Sequence, residues 1–290
     1  MMVFYSPKRK PLADGEFELP KGRIYEEYRD ELLGWMQELR DLPHENFEIK
    51  SHDGLTLRAK YYEYRPGSVI EIIFHGYKGS SERDLCAAVG RCAALGRSAL
   101  LVDQRASGNS DGRIISFGVN ERLDAVAWAN FAVEHFGPDV RLSLGGVSMG
   151  GATVLLAAAE ELPKNVLCVM ADCPYSSARE IIRKVMRDMH VPVGLLYPFV
   201  RLSGKIFGGF DIEDASVTDA LKKSKKPIIF IHGDNDKFVP HTMSEAMYEI
   251  CPTKKKIKLI SGAGHGLAYP ADKEGYISAL AEFEEQLGGF

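Results

Sequence analysis

The sequence predicts an α/β protein in which helices cover both faces of a mostly parallel sheet. Two observations lead to this fold class. Short apolar runs of the kind found in buried strands alternate with helical patterns from residue 69 to residue 287. A pattern typical of a two-stranded hairpin precedes this region, over residues 47–64. Repeated alternation of strand and helix is typical of a parallel sheet that is buried on both faces.

The first element predicted along the chain is a helix over residues 24–42. Its apolar residues recur at helical spacing, and Pro43 ends the pattern. Residues 47–51 and 55–64 then alternate apolar and polar side chains on either side of Asp53-Gly54. This alternation predicts an antiparallel hairpin. We expect its strands to lie at one edge of the sheet.

The rest of the chain alternates two kinds of segment. Short apolar runs are typical of strands buried on both faces, whereas the longer segments between them repeat with the helical period. The buried strands are predicted at residues 69–74, 98–102, 140–146, 166–171, 227–231 and 256–260, and the helices at residues 82–95, 119–136, 149–160, 241–250 and 271–287.

One interval is too long for a simple crossover. About 50 residues separate the strand that ends near Asp172 from the next strand, whereas a crossover needs little more than a dozen. The excess predicts a small helical cap over the carboxyl edge of the sheet, where such folds bind ligands. The predicted organisation is an N-terminal helical extension at residues 1–45, an α/β core at residues 46–175 and 219–290, and a cap insertion at residues 176–218.

Composition and charge argue against several classes of partner. The chain has 290 residues and a formal net charge of −4, which gives no electrostatic case for nucleic acid or an anionic membrane. Its five cysteines lack metal-ligand spacing, so reduced buried thiols are expected and no metal site is predicted. The start has no signal-peptide h-region, and no run reaches transmembrane length. The predicted location is cytoplasmic, without a membrane partner.

Two stretches of the chain read Gly-x-Ser-x-Gly, and their contexts differ. Residues 146–150, Gly-Val-Ser-Met-Gly, follow a predicted strand and precede a helix rich in small residues, whereas residues 108–112 lie in a polar loop. A nucleophilic serine needs a sharp strand-to-helix turn, where its hydroxyl projects from the sheet edge beside free backbone N–H groups. Glycine tolerates the backbone angles of such a turn. Ser148 is therefore the predicted nucleophile.

A serine hydroxyl also needs a base and a group that orients the base. In this architecture the acid and the histidine follow the serine along the chain. His265 lies in a glycine-flanked loop after the last predicted strand, and Asp236 follows the strand before it. We predict that His265 is the base and that Asp236 orients it. Asp234 and Asp172 are rivals for the acid.

The oxyanion that develops during acyl transfer needs two backbone donors. The N–H of Met149, directly after the nucleophile, is one candidate. The loop after the strand at residues 69–74 begins His75-Gly76, and Gly76 allows it to turn so that the N–H of Tyr77 faces the site. Tyr77 and Met149 are therefore the predicted oxyanion donors.

The polar loop that holds the second Gly-x-Ser-x-Gly copy begins at the end of a buried strand. Asp103, Arg105 and Ser110 lie within eight residues of one another there. Such density of polar and small residues is typical of a turn tied by side-chain hydrogen bonds. We expect Asp103 and Arg105 to be structural and to form an ion pair that steadies the oxyanion loop.

From residue 47 onward these features together resemble the α/β-hydrolase superfamily, and within it the serine-aminopeptidase-like and BEM46-like bacterial hydrolases. The resemblance implies the α/β-hydrolase fold, with an eight-stranded sheet and a Ser-Asp-His triad. The chain lacks the His-Gly-Gly-Gly signature of some esterases, which implies a single-glycine oxyanion loop. The matching stretches are His75-Gly76, residues 103–110, residues 146–150, residues 232–240 and Gly264-His265.

The leading hypothesis is a carboxylesterase that forms an acyl-enzyme on Ser148, with a small ester and water as its partners. The predicted cap offers Tyr197, Phe199 and Phe207 as a substrate pocket, which favours an apolar group of modest size. Amide or peptide cleavage by the same residues stays open. A ligand-binding protein that keeps a hydrolase fold is a further alternative, which the complete triad disfavours. No cofactor is predicted, and the sequence leaves the oligomeric state open.

Overall fold

The computed structural model describes residues 3–7, 12–13 and 15–289. Within these residues, one eight-stranded sheet forms the centre of the molecule. The strands are β1 (Glu45–Lys50), β2 (Thr56–Tyr62), β3 (Ile70–Phe74), β4 (Ser98–Asp103), β5 (Leu142–Val147), β6 (Val166–Asp172), β7 (Ile228–Gly233) and β8 (Lys255–Ile260).

The strands lie in the spatial order β1-β2-β4-β3-β5-β6-β7-β8. From β4 to β8 all neighbours are parallel. The hairpin of β1 and β2 adds two antiparallel strands at one edge, with β2 antiparallel to β4. The predicted eight-stranded, mostly parallel sheet is therefore confirmed, and the hairpin lies at the edge where we expected it.

Helices connect the parallel strands as the alternating pattern predicted, and the predicted helix at residues 82–95 is divided into two. A 3₁₀ helix, Arg23–Tyr28, leads into the first α-helix, and a π-helix, Gly204–Gly208, follows the seventh. The α-helices are α1 (Arg29–Asp41), α2 (Ser81–Asp84), α3 (Ala88–Ala94), α4 (Glu121–Phe136), α5 (Met149–Ala157), α6 (Ala178–Asp188), α7 (Val193–Ser203), α8 (Val217–Leu221), α9 (Thr242–Ile250), α10 (Ala268–Ala271) and α11 (Lys273–Gln286).

Both faces of the sheet are covered, which explains the continuous apolar runs of its central strands. Every residue of β3, β4 and β7 is buried. Neighbouring residues of a strand point to opposite faces. Ile72 packs in the cluster that contains Trp128 of α4, whereas Ile73 packs in the cluster that contains Leu39 of α1. Helices α4, α5, α8 and α9 cover the first face, and α1, α3 and α11 cover the second.

The N-terminal segment, residues 15–41, packs on the second face of the sheet. Its helix α1 buries Leu32, Met36 and Leu39, of which Met36 and Leu32 pack against Cys86. Arg40 extends from the end of α1 to form a two-pronged ion pair with Glu82 of α2. The segment is thus fixed beside the carboxyl edge of the parallel strands.

The long interval between β6 and β7 holds α6, α7, the π-helix and α8. Ile181, Ile182 and Met186 of α6 are buried, whereas much of α7 and the π-helix is exposed. No helix in the described ranges is long and apolar enough to cross a membrane.

Candidate active site

Ser148 lies on the sharp turn between β5 and α5. Its φ of 55° and ψ of −114° are unusual for a residue with a side chain. The turn is tight because a Cβ on Gly146 would lie 2.2 Å from the backbone of Gly150, and one on Gly150 would lie 2.0 Å from Phe74 O. Only glycine fits at either position. The backbone N–H of Ser148 donates to Asp172 O at 2.8 Å, which fixes the turn against β6.

His265 joins Ser148 to Asp236 through its two ring nitrogens. The distance from Ser148 Oγ to His265 Nε2 is 2.9 Å, and that from His265 Nδ1 to Asp236 Oδ2 is 2.6 Å. Because a carboxylate only accepts, Nδ1 carries the proton of the neutral ring and Nε2 is free to accept from the serine hydroxyl. The arrangement can therefore take the proton from Ser148.

Asp236 is held by donors on both of its oxygens. Oδ1 accepts from the backbone N–H groups of Phe238 and Val239, while Oδ2 accepts from His265 and from His232 Nε2 at 3.2 Å. Burial alone would raise the pKa of Asp236, but these hydrogen bonds hold it well below its usual range. The carboxylate stays ionised and can stabilise a protonated His265.

The two rival carboxylates lie elsewhere. Asp234 accepts from the backbone N–H of Gly262 at 2.7 Å, in an exposed turn. Asp172 accepts from the hydroxyl of Tyr276 at 3.1 Å, and burial raises its pKa. Among the three candidates, the structure brings Asp236 to His265.

The loop after β3 runs directly beside Ser148. A Cβ on Gly76 would lie 3.6 Å from Ser148 Cβ, and the backbone N–H of Gly76 donates to Asp84 Oδ2 at 3.0 Å. The fully buried His75 fixes the loop from behind, since its Nε2 accepts from Gln104 N and its Nδ1 donates to Gly76 O. Burial lowers the pKa of His75, which keeps this ring neutral.

The predicted oxyanion donors, Met149 and Tyr77, belong to two different elements. Met149 is the first residue of α5, so its N–H has no acceptor within the helix. Tyr77 follows Gly76 in the loop, and its ring packs on Phe117 with 4.9 Å between ring centroids. Its hydroxyl donates to Val3 O at 2.5 Å, which anchors the side chain.

The second Gly-x-Ser-x-Gly copy is structural. Ser110 Oγ donates to Asp103 O at 2.5 Å and accepts from Arg58 N at 2.8 Å. The predicted ion pair between Asp103 and Arg105 is wrong. Arg105 instead pairs with Asp124 at 2.6 Å and Asp53 at 2.9 Å, while Asp103 accepts from backbone N–H groups, among them that of Ser81.

A cavity of about 520 Å³ opens beside Ser148, on the sheet face that α1 covers. Residues of the segment 76–91, which contains α2 and the start of α3, and the ends of β5 and β6 form part of its lining, and residues from 265–276 form another part. A further wall comes from the N-terminal segment, through Glu18, Pro20, Lys21, Tyr25, Leu32 and Trp35.

The three residues predicted from the cap do not line this cavity. Tyr197 is buried under Arg183, with its hydroxyl directed toward Glu213. Phe199 and Phe207 are exposed, at 63% and 59% of their full surface. The predicted cap pocket is therefore wrong for the cavity at Ser148, because α7 and the π-helix leave Phe199 and Phe207 exposed and Tyr197 packs elsewhere.

The residues that sequence reasoning missed belong mainly to the N-terminal segment. The hydroxyl of Tyr25 donates to the backbone carbonyl of His265 at 3.0 Å, and burial raises the pKa of this phenol well above its usual range. Trp35 packs against Tyr269, with 5.8 Å between ring centroids. The aromatic residues of the predicted first helix were the available signal, but helical spacing does not say which surface the helix covers.

One group of side chains in the described part of the chain has metal-ligating chemistry. Ligand atoms of Cys173, Asp236 and His265 lie within 4.8 Å of one another. Asp236 and His265 are already hydrogen-bonded to each other, and burial raises the pKa of the Cys173 thiol far above its usual range. A protonated thiol is a poor metal ligand. The group fits proton transfer better than metal binding.

Two family models match the chain. One describes the α/β hydrolase fold and matches residues 72–197, and the other describes serine hydrolases (FSH1) and matches residues 203–272. Together with the sheet order and the serine turn, these matches show that the chain has the α/β-hydrolase fold and is similar to the serine hydrolases of that fold.

Individual relatives are distant. The Bacillus subtilis (strain 168) protein YqkD is 27% identical over 67% of this chain, and the match spans 64% of the length of YqkD, which is less than two thirds. The protein Bem46 of Schizosaccharomyces pombe is 23% identical over 84% of this chain and 77% of its own length. The esterase Pf2001 of Pyrococcus furiosus superposes with a TM-score of 0.71 over 98% of both chains, at 22% identity.

Proposed function

We propose that the protein is a serine hydrolase that cleaves small to medium carboxylic esters through an acyl-enzyme on Ser148. One observation carries the proposal. Ser148, His265 and Asp236 form an unbroken chain of hydrogen bonds of 2.9 and 2.6 Å, and the chain starts at a strained serine on a strand-to-helix turn. This is the arrangement that activates a serine hydroxyl.

In the first half of the reaction, Ser148 Oγ attacks the ester carbonyl while His265 Nε2 takes its proton. The negative charge that develops on the carbonyl oxygen is stabilised by the N–H groups of Met149 and Tyr77. His265 then gives the proton to the alcohol oxygen as the carbon–oxygen bond breaks, which leaves the acyl group on Ser148.

In the second half, His265 takes a proton from water, and the resulting hydroxide equivalent attacks the acyl carbonyl. Collapse of the intermediate returns the proton to Ser148 Oγ and releases the carboxylic acid. Asp236 stabilises the imidazolium form of His265 in both halves, through the bond between Oδ2 and Nδ1.

The cavity beside Ser148 supports a substrate of modest size. Its volume of about 520 Å³ lies within the usual range for small-molecule sites. Val147, Leu267, Trp35 and Tyr269 contribute apolar side chains to its walls. We propose that the N-terminal segment forms the substrate pocket and that residues 176–218 are a peripheral insertion.

Covalent labelling tests the proposal. A fluorophosphonate should add its mass to Ser148 in the wild-type protein, and Ser148→Ala should take up none. The same proteins should then be assayed on p-nitrophenyl esters of graded chain length. Ser148→Ala should lower kcat by a factor on the order of 10⁴ or more and leave the fold intact.

Ser110→Ala is the matched control, because it changes the serine of the other Gly-x-Ser-x-Gly copy. It should retain labelling and most of the activity. Labelling at Ser110, or an active Ser148→Ala protein, would refute the assignment. Cleavage of amino-acid p-nitroanilides at a higher kcat/KM than esters would shift the substrate class to amides, with the same three residues.

A further inference from the structure

Asp172 is the last residue of β6 and lies next to the serine turn. Its Cα pairs with that of Val147 across neighbouring strands, which are about 4.8 Å apart. Its backbone carbonyl accepts from the N–H of Ser148 at 2.8 Å. The proposed mechanism gives this carboxyl no role, although Asp172 pairs with Val147, the residue directly before the nucleophile.

The side chain of Asp172 lies on the face of the sheet that carries the cavity. In parallel strands, residues paired in register point to the same face. Val147 pairs with Asp172, and Met170 lies two residues earlier on β6, so the three side chains share one face. All three line the cavity, as does Tyr276, which bonds to the Asp172 carboxyl.

One oxygen of this carboxyl has a partner and the other does not. Oδ2 accepts from the hydroxyl of Tyr276 at 3.1 Å. Oδ1 is buried and has no hydrogen-bond partner among the residues that the structure describes, and the whole residue is 4% exposed. A buried acceptor without a donor costs free energy, which a ligand can recover by supplying one.

The neighbouring cation does not serve as that donor. Arg91 lines the same cavity, but its guanidinium is bound to both oxygens of Glu71, at 2.6 and 3.3 Å. Met170 and Leu267, which line the same cavity, are apolar. The Asp172 carboxyl is therefore a buried polar group with spare acceptor capacity in the wall of the cavity.

We propose that Asp172 is a substrate-binding residue, whose Oδ1 accepts a hydrogen bond from a hydroxyl or ammonium group carried within a few bonds of the scissile ester. The inference rests on the proposed ester hydrolysis and narrows its substrate class. The substrates are then esters of hydroxy acids, amino acids or polyols, in preference to esters of simple alkanoic acids with simple alcohols.

Matched esters test this substrate class on each side of the ester bond. For the acyl part, ethyl butanoate is compared with ethyl 3-hydroxybutanoate and ethyl 3-aminobutanoate. For the alcohol part, 2-methoxyethyl butanoate is compared with 2-hydroxyethyl butanoate. In at least one series, kcat/KM should be about 10- to 100-fold higher for the ester with a donor. The hydroxyl and ammonium members show which donor the carboxyl prefers.

The variants Asp172→Asn and Asp172→Ala should lose most of that preference, whereas Tyr276→Phe should keep it. Tyr276→Phe is the matched control because it removes the bond to Oδ2 and leaves the carboxyl in place. Equal kcat/KM for both members of every pair in the wild-type protein would overturn the inference. A preference that survives in both Asp172 variants would overturn it as well.

A binding measurement separates this inference from the proposed function. Calorimetry on Ser148→Ala, which cannot turn the esters over, should show tighter binding of the donor-bearing member, and Ser148→Ala/Asp172→Asn should not. If the wild-type protein shows neither fluorophosphonate labelling nor ester turnover, ester hydrolysis is refuted. If matched esters bind with equal affinity, the role of Asp172 is refuted. If the Asp172 variants fail to fold, the binding affinities of the matched esters for Ser148→Ala decide whether the site prefers a donor-bearing ester.

Discussion

Both ring nitrogens of His265 are hydrogen-bonded, to Asp236 and Ser148, and the backbone carbonyl of His265 accepts from the hydroxyl of Tyr25. These bonds come from different parts of the chain, so each can be removed without changing the others. Single substitutions therefore separate the roles that we propose for the residues around Ser148.

Asp236→Asn should lower kcat by about 10⁴, because an amide lets the imidazole of His265 adopt the wrong tautomer. Asp234→Asn is the matched control, since Asp234 bonds to the N–H of Gly262 and not to the histidine. Steady-state kinetics on a p-nitrophenyl ester at neutral pH measures both. Near-normal turnover by Asp236→Asn would remove Asp236 from the proposed triad.

Tyr25→Phe should lower kcat/KM by about two- to tenfold, the value of one ordinary hydrogen bond. The substitution removes the donor to His265 O and leaves the aromatic ring in the cavity wall. Tyr28→Phe, in the same segment, does not touch the site and should be neutral. Equal kinetics for both variants would mean that the hydroxyl of Tyr25 does not position the histidine loop.

At the scale of elements, the N-terminal segment lines the cavity at Ser148, which the sequence predicted for the cap. Trp35→Ala enlarges the cavity beside Ser148, so the preferred acyl or alcohol group should become longer. The shift should be modest, because one or two methylenes are worth only about 1–3 kcal/mol. Relative kcat/KM across esters of graded chain length measures it.

The matched control for Trp35→Ala is Phe199→Ala, which truncates an exposed ring on α7. Its chain-length profile should equal that of the wild-type protein. A shifted chain-length profile in Phe199→Ala together with an unchanged one in Trp35→Ala would show that the cap, and not the N-terminal segment, forms the substrate pocket.

The strands and the serine turn were predictable because their signals are local. Gly146 and Gly150 must be glycine because a Cβ at either position would collide with the backbone of the turn or of the neighbouring strand. Buried strands are recognisable as continuous apolar runs. The partners of Arg105 were not predictable in this way. Asp124 and Asp53 lie 19 and 52 residues from it along the chain, and only the packing of the whole fold brings them together.

The prediction that cap residues form the pocket wall was wrong for the same reason. Composition showed that α7 and the π-helix are apolar, but it did not show that Phe199 and Phe207 point outward. It also showed that the first helix has an apolar face, without showing that this face closes the cavity at His265. Contacts between distant segments depend on how complete elements pack, which local patterns do not encode.

At the scale of the whole molecule, a buried ion cluster lies beneath the cavity. Glu71 is fully buried in β3 and pairs with Arg91 and Arg97, each at 2.6 Å. Burial alone would raise the pKa of Glu71, but the two guanidinium groups lower it to about 2. The cluster therefore couples α3 and the start of β4 to the centre of the sheet.

The free energy of unfolding should fall as the pH drops. The folded-state pKa of Glu71 is below the unfolded value of about 4.3, so its stabilisation is full above that value and is lost as the pH falls toward about 2. Glu71→Gln should lose about 3–5 kcal/mol at pH 7, because it removes the buried carboxylate that Arg91 and Arg97 share, although Arg97 keeps its pair with Glu284. It should also show a weaker pH dependence.

Urea unfolding at pH 7 and at pH 3.5 measures both effects. Glu48→Gln is the control, because Glu48 forms an exposed ion pair with Arg58 and should change stability by less than about 1 kcal/mol. Equal pH dependence in the wild-type protein and Glu71→Gln would show that the cluster does not set acid stability.

The contact between Tyr25 and His265 also has a consequence for biosynthesis. The two residues are 240 positions apart, and Glu31 pairs with Lys273 across a similar interval. A chain that grows from its N-terminus exposes the aromatic face of the N-terminal segment long before the loop and helices that cover it have been made. Throughout translation this face is a surface for chaperones or for wrong contacts. The wall of the cavity can be completed only after residues 265–276 have been synthesised.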